Sequence, residues 1–135
     1  MIVLIAGPPG ANKTRVAELL GQEEGWCYIG LISHNLEDEA MRMRRISDKR
    51  RMHDRYRFYK KQVRTASEKI AKLRNIPKIN VVIDEYWPDV LAVHRWLGVQ
   101  AEMKDFGNIV REDAIVHLTV SHSTSVSRLN RHPHA

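Results

Sequence analysis

The run IVLIA at positions 2–6 opens directly into GPPGANKT at positions 7–14, and this junction constrains the chain more than any other stretch. An unbroken apolar run that ends at a glycine loop fits a strand buried on both faces. The loop comprises Gly7, Pro8, Pro9, Gly10, Ala11, Asn12, Lys13 and Thr14, and it departs from the pattern G-x-x-x-x-G-K-[ST] only at Asn12. Val16, Leu19 and Leu20 then follow at helical spacing as far as Gly21. In a strand–loop–helix of this kind, the loop amides and the helix N-terminus converge on phosphate oxygens. Lys13 would neutralise charge on the β- and γ-phosphates of a bound ATP, and Thr14 would ligate Mg²⁺. Glycine is needed in such a loop where φ is positive, and asparagine is the side-chain-bearing residue that tolerates that conformation best. Asn12 is therefore compatible with a phosphate cradle. A glycine turn followed by Lys-Thr by chance is the competing account, and the coincidence of strand, Gly7, Gly10, Lys13, Thr14 and helix argues against it.

The rest of the chain alternates strands with helices. Trp26 to Ile29 reads as a second strand, and a helical pattern begins near Leu36 with Asn35 as N-cap. Beyond a break near Ser47, Met52, Tyr56, Tyr59, Val63, Ala66, Ile70 and Leu73 step by three and four, the stripe of one long amphipathic helix. Asn75, Ile76 and Pro77 end it. Ile79 to Ile83 is a third buried strand running into Asp84-Glu85-Tyr86-Trp87-Pro88. A helix is predicted from Asp89 to Leu97, with more helix up to Phe106, a loop at Gly107 and Asn108, a fourth strand over Ile115 to Val120, and a last helix from Ser123 that carries Arg128 and Arg131. With no repeat, linker or low-complexity tract, positions 1–135 read as a single α/β domain with a parallel sheet covered on both faces.

An acid at the end of a buried strand beside the loop strand is where a phosphate-loop protein holds Mg²⁺ or its waters, and Asp84 has that place. At this point a resemblance becomes specific. GPPGANKT, the helix segment FYKKQV, VVIDEYWPDVLAVH and DAIVHLTVSHSTSVSRLNR together resemble the thymidylate kinase-like members of the nucleoside monophosphate kinase superfamily, including viral and phage types. The resemblance implies a three-layer P-loop NTPase fold with a short parallel sheet of about four strands. It also implies phosphoryl transfer from ATP, with Mg²⁺, to a nucleotide. Lys13 and Thr14 fall on the phosphate and magnesium positions, and Asp84 and Tyr86 on the Asp and Tyr of the family's Asp-Arg-Tyr motif. Arg128 and Arg131 fall where lid-side arginines stand. The resemblance places Phe58 and Arg64 on the helix that lines the acceptor site in the family. Tyr59 lies in the apolar stripe and is expected in the core. The chain departs from the family at Asn12, at Glu85 where the motif has Arg, and at Ala135, which falls about where the family's lid begins. The resemblance implies a dimer.

Glu85 keeps a second reading open, a P-loop ATPase in which it orients the attacking water. A third reading retains the fold as a nucleotide- or nucleic-acid-binding module without chemistry. The net charge of +6 is unevenly spread: positions 42–74 hold fourteen Lys or Arg against Asp48, Asp54 and Glu68. That segment is either a solvated helix face or a surface that tracks the phosphates of a nucleic acid, which would make a nucleic-acid end the acceptor instead of a free thymidylate-like nucleotide. Its thin aromatic content argues against sequence-specific base reading. The single cysteine, Cys27, excludes an internal disulfide and is expected to pack as a small apolar group. No apolar run is long enough to span a membrane and MIVLIAG has no basic leader, so a cytoplasmic location is expected. His132 and His134 lack metal-ligand spacing, and no metal beyond Mg²⁺ is assigned.

Overall fold

The computed structural model describes residues 1–8, 11–30 and 49–119. Four strands, β1 (Ile2–Ala6), β2 (Trp26–Ile29), β3 (Asn80–Ile83) and β4 (Ala114–His117), form one parallel sheet in the order β2-β3-β1-β4. The register pairs Leu4 with Ile83 on one side of β1 and with Ile115 on the other. Three α-helices, α1 (Lys13–Gly21), α2 (Lys49–Arg74) and α3 (Trp87–Trp96), and a 3-10 turn at Met103–Phe106 complete the described elements.

β1 shows why an unbroken apolar run is needed. Successive side chains in a strand point to opposite faces. Val3 and Ile5 pack with Val82 and Ala17 of α1, whereas Ile2 and Leu4 join Val81, Ile83 and the stripes of α2 and α3. The predicted stripe of α2 is the one buried: Met52, Tyr56, Tyr59, Val63, Ala66 and Ile70 lie in the core, with Leu73 packed at its margin. The fully buried Val63 and Ile70 side chains each contribute about 1.5–3 kcal/mol.

Several boundaries differ from the sequence expectation. α3 starts at Trp87, two residues before Asp89, because Pro88 is tolerated in a first helical turn that needs no backbone donor there. Asp89 is therefore not the cap but the third residue of the helix, and its Oδ2 accepts the Tyr86 backbone N–H at 3.1 Å. The helical reading up to Phe106 breaks after Trp96, where Gly98 takes φ 89°, and leaves only the 3-10 turn. β4 is exposed along its whole length among the described residues. The helix expected from Leu36, the break near Ser47, and the helix holding Arg128 and Arg131 lie outside the described residues, as do Pro9 and Gly10. Among the described residues no helix is long and apolar enough to cross a membrane.

Candidate functional site

β1 and β3 are neighbours and run parallel, so the loop leaving β1 and the turn leaving β3 emerge side by side. At the carboxyl end of β1, Gly7 passes close to the end of β4: a β-carbon on it would sit 2.8 Å from the Leu118 carbonyl oxygen. The chain then reaches Asn12, which has φ 61° and ψ 36°, the left-handed conformation expected at this place. Asn12 sits at the N-cap of α1, and its carbonyl accepts the Val16 N–H at 3.0 Å. Helix α1 thus begins at Lys13, within the loop motif itself.

Two contacts cross from this loop to the β3 turn. Thr14 Oγ1 donates to Asp84 Oδ2 at 2.7 Å, and Asp84 Oδ1 accepts the Glu85 backbone N–H at 3.0 Å. Asp84 is only 2% exposed, whereas Thr14 is half-buried, so the first bond is partly and the second fully sheltered from water. Lys13 is also buried, with its Nζ 3.7 Å from Asp89 Oδ1. A hydroxyl and a carboxylate oxygen in contact form a donor set suited to Mg²⁺, which takes one or two protein oxygens and keeps phosphate and water as its other ligands. Among the described residues no cluster of three His, Cys, Asp or Glu is arranged to hold a metal.

Tyr28, at the end of β2, was not legible as a site residue. Its hydroxyl is buried and makes no well-formed hydrogen bond. Burial first, and then the nearby carboxylates of Asp84, Glu18 and Glu85, push the phenol pKa up. Gly30 makes room for this hydroxyl, since a side chain there would collide with it.

The turn itself is fixed to the segment leading into β4. Tyr86 is fully buried, and its hydroxyl donates to the Val110 carbonyl at 2.6 Å. Trp87 Nε1 donates to Glu112 Oε2 at 3.0 Å while the Arg111 guanidinium lies over the Trp87 ring. Tyr86 is thus held by backbone. Arg64 is placed similarly, with Nη2 3.1 Å from the Asp105 carbonyl and Nε 3.4 Å from that of Phe106. Phe58 is off the apolar stripe and 53% exposed, with its ring edge-on to Tyr59. Cys27 lies half-buried in β2. Arg128 and Arg131 fall outside the described residues.

No family model and no curated protein sequence matches the chain. Solved structures do. Deoxyadenosine kinase from M. mycoides with bound dATP superposes with a TM-score of 0.63 at 15% identity, over 100% of this chain and 73% of that one. The same kinase with its products dCMP and a flexible dCDP gives 0.62 at 15% identity, over 100% and 72%. The chain shares with these kinase structures the same α/β fold, a four-stranded parallel sheet flanked by helices.

Proposed function

We propose that the chain is a phosphotransferase that moves the γ-phosphoryl group of ATP to a nucleoside-type acceptor with Mg²⁺. The observation that carries this reading is the 2.7 Å contact between Thr14 Oγ1 and Asp84 Oδ2, made beside a buried Lys13 at the start of a helix. Mg²⁺, when bound, offsets charge on the β- and γ-phosphates. Thr14 and Asp84 would hold it. Lys13 and the N–H groups at the start of α1 bind the phosphates and orient them, which is most of what phosphoryl transfer asks of a protein. Arg128 and Arg131 are proposed to cover the transferring group, and Phe58 to stack on an acceptor base. Arg64 and Tyr86 would have to release their backbone partners to reach an acceptor.

Charge supports a nucleoside acceptor. Asp89 lies beside Lys13 and Asp84 contacts the neighbouring Thr14, and these two carboxylates and Glu85 are all buried or half-buried. An acceptor phosphate would add its charge to that of these carboxylates and of a bound triphosphate, whereas a neutral hydroxyl would not. The solved kinases that share the fold are deoxyadenosine kinases, which accords with a nucleoside. A second reading, a thymidylate-like nucleotide or the end of a nucleic acid, is favoured by the exposed cations Arg50, Arg51, Arg57 and Lys61 of α2. An enzyme of this class would work on cytoplasmic ATP, and the family resemblance adds a homodimer. The test supplies ATP labelled on its γ-phosphate, with Mg²⁺, to nucleosides, nucleoside monophosphates and a short DNA strand in separate reactions. Labelled nucleoside monophosphate is the expected product. Label in free phosphate alone would replace the kinase reading with hydrolysis directed by Glu85.

A further inference from the structure

We propose that Asp89 is an internal counter-ion that an incoming polyphosphate must displace from Lys13, so that this carboxylate sets the nucleotide affinity of the site. The inference rests on Lys13 being the phosphate-binding lysine, as argued above. Lys13 and Asp89 are 8% and 13% exposed, and their charged atoms are 3.7 Å apart. The two oxygens of Asp89 have separate tasks. Oδ1 faces Lys13, whereas Oδ2 accepts the Tyr86 N–H at 3.1 Å and closes the first turn of α3. That turn is held in its own right by Tyr86 on Val110 and Trp87 on Glu112.

The carboxylate is consequently fixed by backbone, and the partner able to move is the lysine on its flexible stem. When a triphosphate draws Lys13 onto its oxygens, the attraction to Asp89 weakens and a fixed negative charge is left beside the phosphates. Both effects oppose binding, and both are strengthened by the poor solvent access of the pair. A merely structural ion pair predicts the opposite sign, because its loss would let the lysine wander and binding would weaken.

The sign decides the matter. Asp89→Asn keeps an oxygen for the Tyr86 N–H and removes only the charge. Calorimetric titration of the intact chain with Mg²⁺-ATP is expected to show the variant binding about five- to tenfold more tightly than wild type. Inorganic tripolyphosphate should gain by the same factor, since the effect lies at the phosphates and not at the base. Asp89→Ser, which also retains a short acceptor, provides the same comparison should Asp89→Asn not fold. Wild-type binding of ATP with equal or weaker binding by the variants would overturn the role of Asp89 and leave Lys13 as the phosphate ligand. A gain confined to ATP and missing for tripolyphosphate would overturn it as well. Failure of wild type and variants alike to bind either ligand would remove the lysine assignment and this inference together.

Discussion

His94 is fully buried between α2 and α3 and is predicted to make the fold acid-sensitive. An arginine can only donate, so the 2.9 Å contact between Arg55 Nη1 and His94 Nε2 requires that nitrogen to be the acceptor. The proton then sits on Nδ1 and is donated to the Val90 carbonyl at 2.7 Å. The tyrosine rings of Tyr56 and Tyr59 flank the imidazole at 4.9 and 5.8 Å between centroids. Burial above all, with smaller contributions from the charges of Arg55 and Lys60, lowers its pKa from 6.5 to about 4, against the opposing pull of the Val90 bond. The folded state thus resists a proton that the unfolded chain accepts, and stability declines as pH falls from 6.5 to about 4 and levels below that. At about 1.4 kcal/mol per pH unit, this window corresponds to at most about 3.5 kcal/mol. The Asp105 carboxyl, held below the usual carboxylate range chiefly by the Glu102 backbone N–H, also ties stability to pH on the acid side, so the histidine must be isolated by difference. In His94→Gln the side-chain oxygen can still accept from Arg55 but does not titrate. Urea denaturation from about pH 7.5 to about pH 4.5 should show wild type more stable at the upper end and the gap closing by about 2–3 kcal/mol at the lower end. A gap that stays constant across that range would refute the argument, because it would mean that His94 takes up no fewer protons in the folded state than in the unfolded one.

Two further substitutions probe the loop. Lys13→Ala is expected to abolish ATP binding in a calorimetric titration while circular dichroism retains the native helix signal; an unchanged affinity would remove the phosphate-loop assignment. Asn12→Ala places a side chain that disfavours φ near 61° at the N-cap of α1, and should lower unfolding stability by about 1 kcal/mol. Asn12→Gly should be within a few tenths of a kcal/mol of wild type or better, and equal stability of the alanine and native chains in urea would contradict the left-handed backbone.

What was legible in the sequence was whatever depends on local pattern. β1, β2 and the stripe of α2 follow from apolar spacing, and the positive φ of Asn12 follows from the single departure in a glycine-rich loop. Contacts between distant segments were not legible. Asp89 read as a helix start because an acid after Trp-Pro is an ordinary N-terminal signal, and nothing local says that it faces Lys13. Arg55 read as one more cation of a solvated face, yet it is buried against His94 and over the Tyr59 ring. Its position one turn before Tyr59 places it at the margin of the stripe, where a long side chain can turn inward. Tyr28 carried no signal at all, since its position beside Asp84 is set by the pairing of β2 with β3.

The strand order explains why these residues meet. With β3 between β2 and β1, the ends of β2, β3 and β1 lie in sequence along one edge of the sheet. Tyr28 belongs to the first, Asp84 to the second, and the loop bearing Lys13 and Thr14 to the third. Ligands of parallel α/β sheets bind beyond the carboxyl ends of the strands, where connections to opposite faces diverge. Here the connection from β1 goes to α1 on one face, and that from β3 goes to α3 on the other. The two helices begin on either side of the same crevice. The α1 terminus presents Lys13, the α3 terminus presents Asp89, and the cation and anion face each other across it. A polyphosphate entering that crevice would be attracted by one helix start and opposed by the acid on the other. With Lys13 as the phosphate ligand we propose, the affinity of the site would be set by the balance between two helix starts and not by the loop alone.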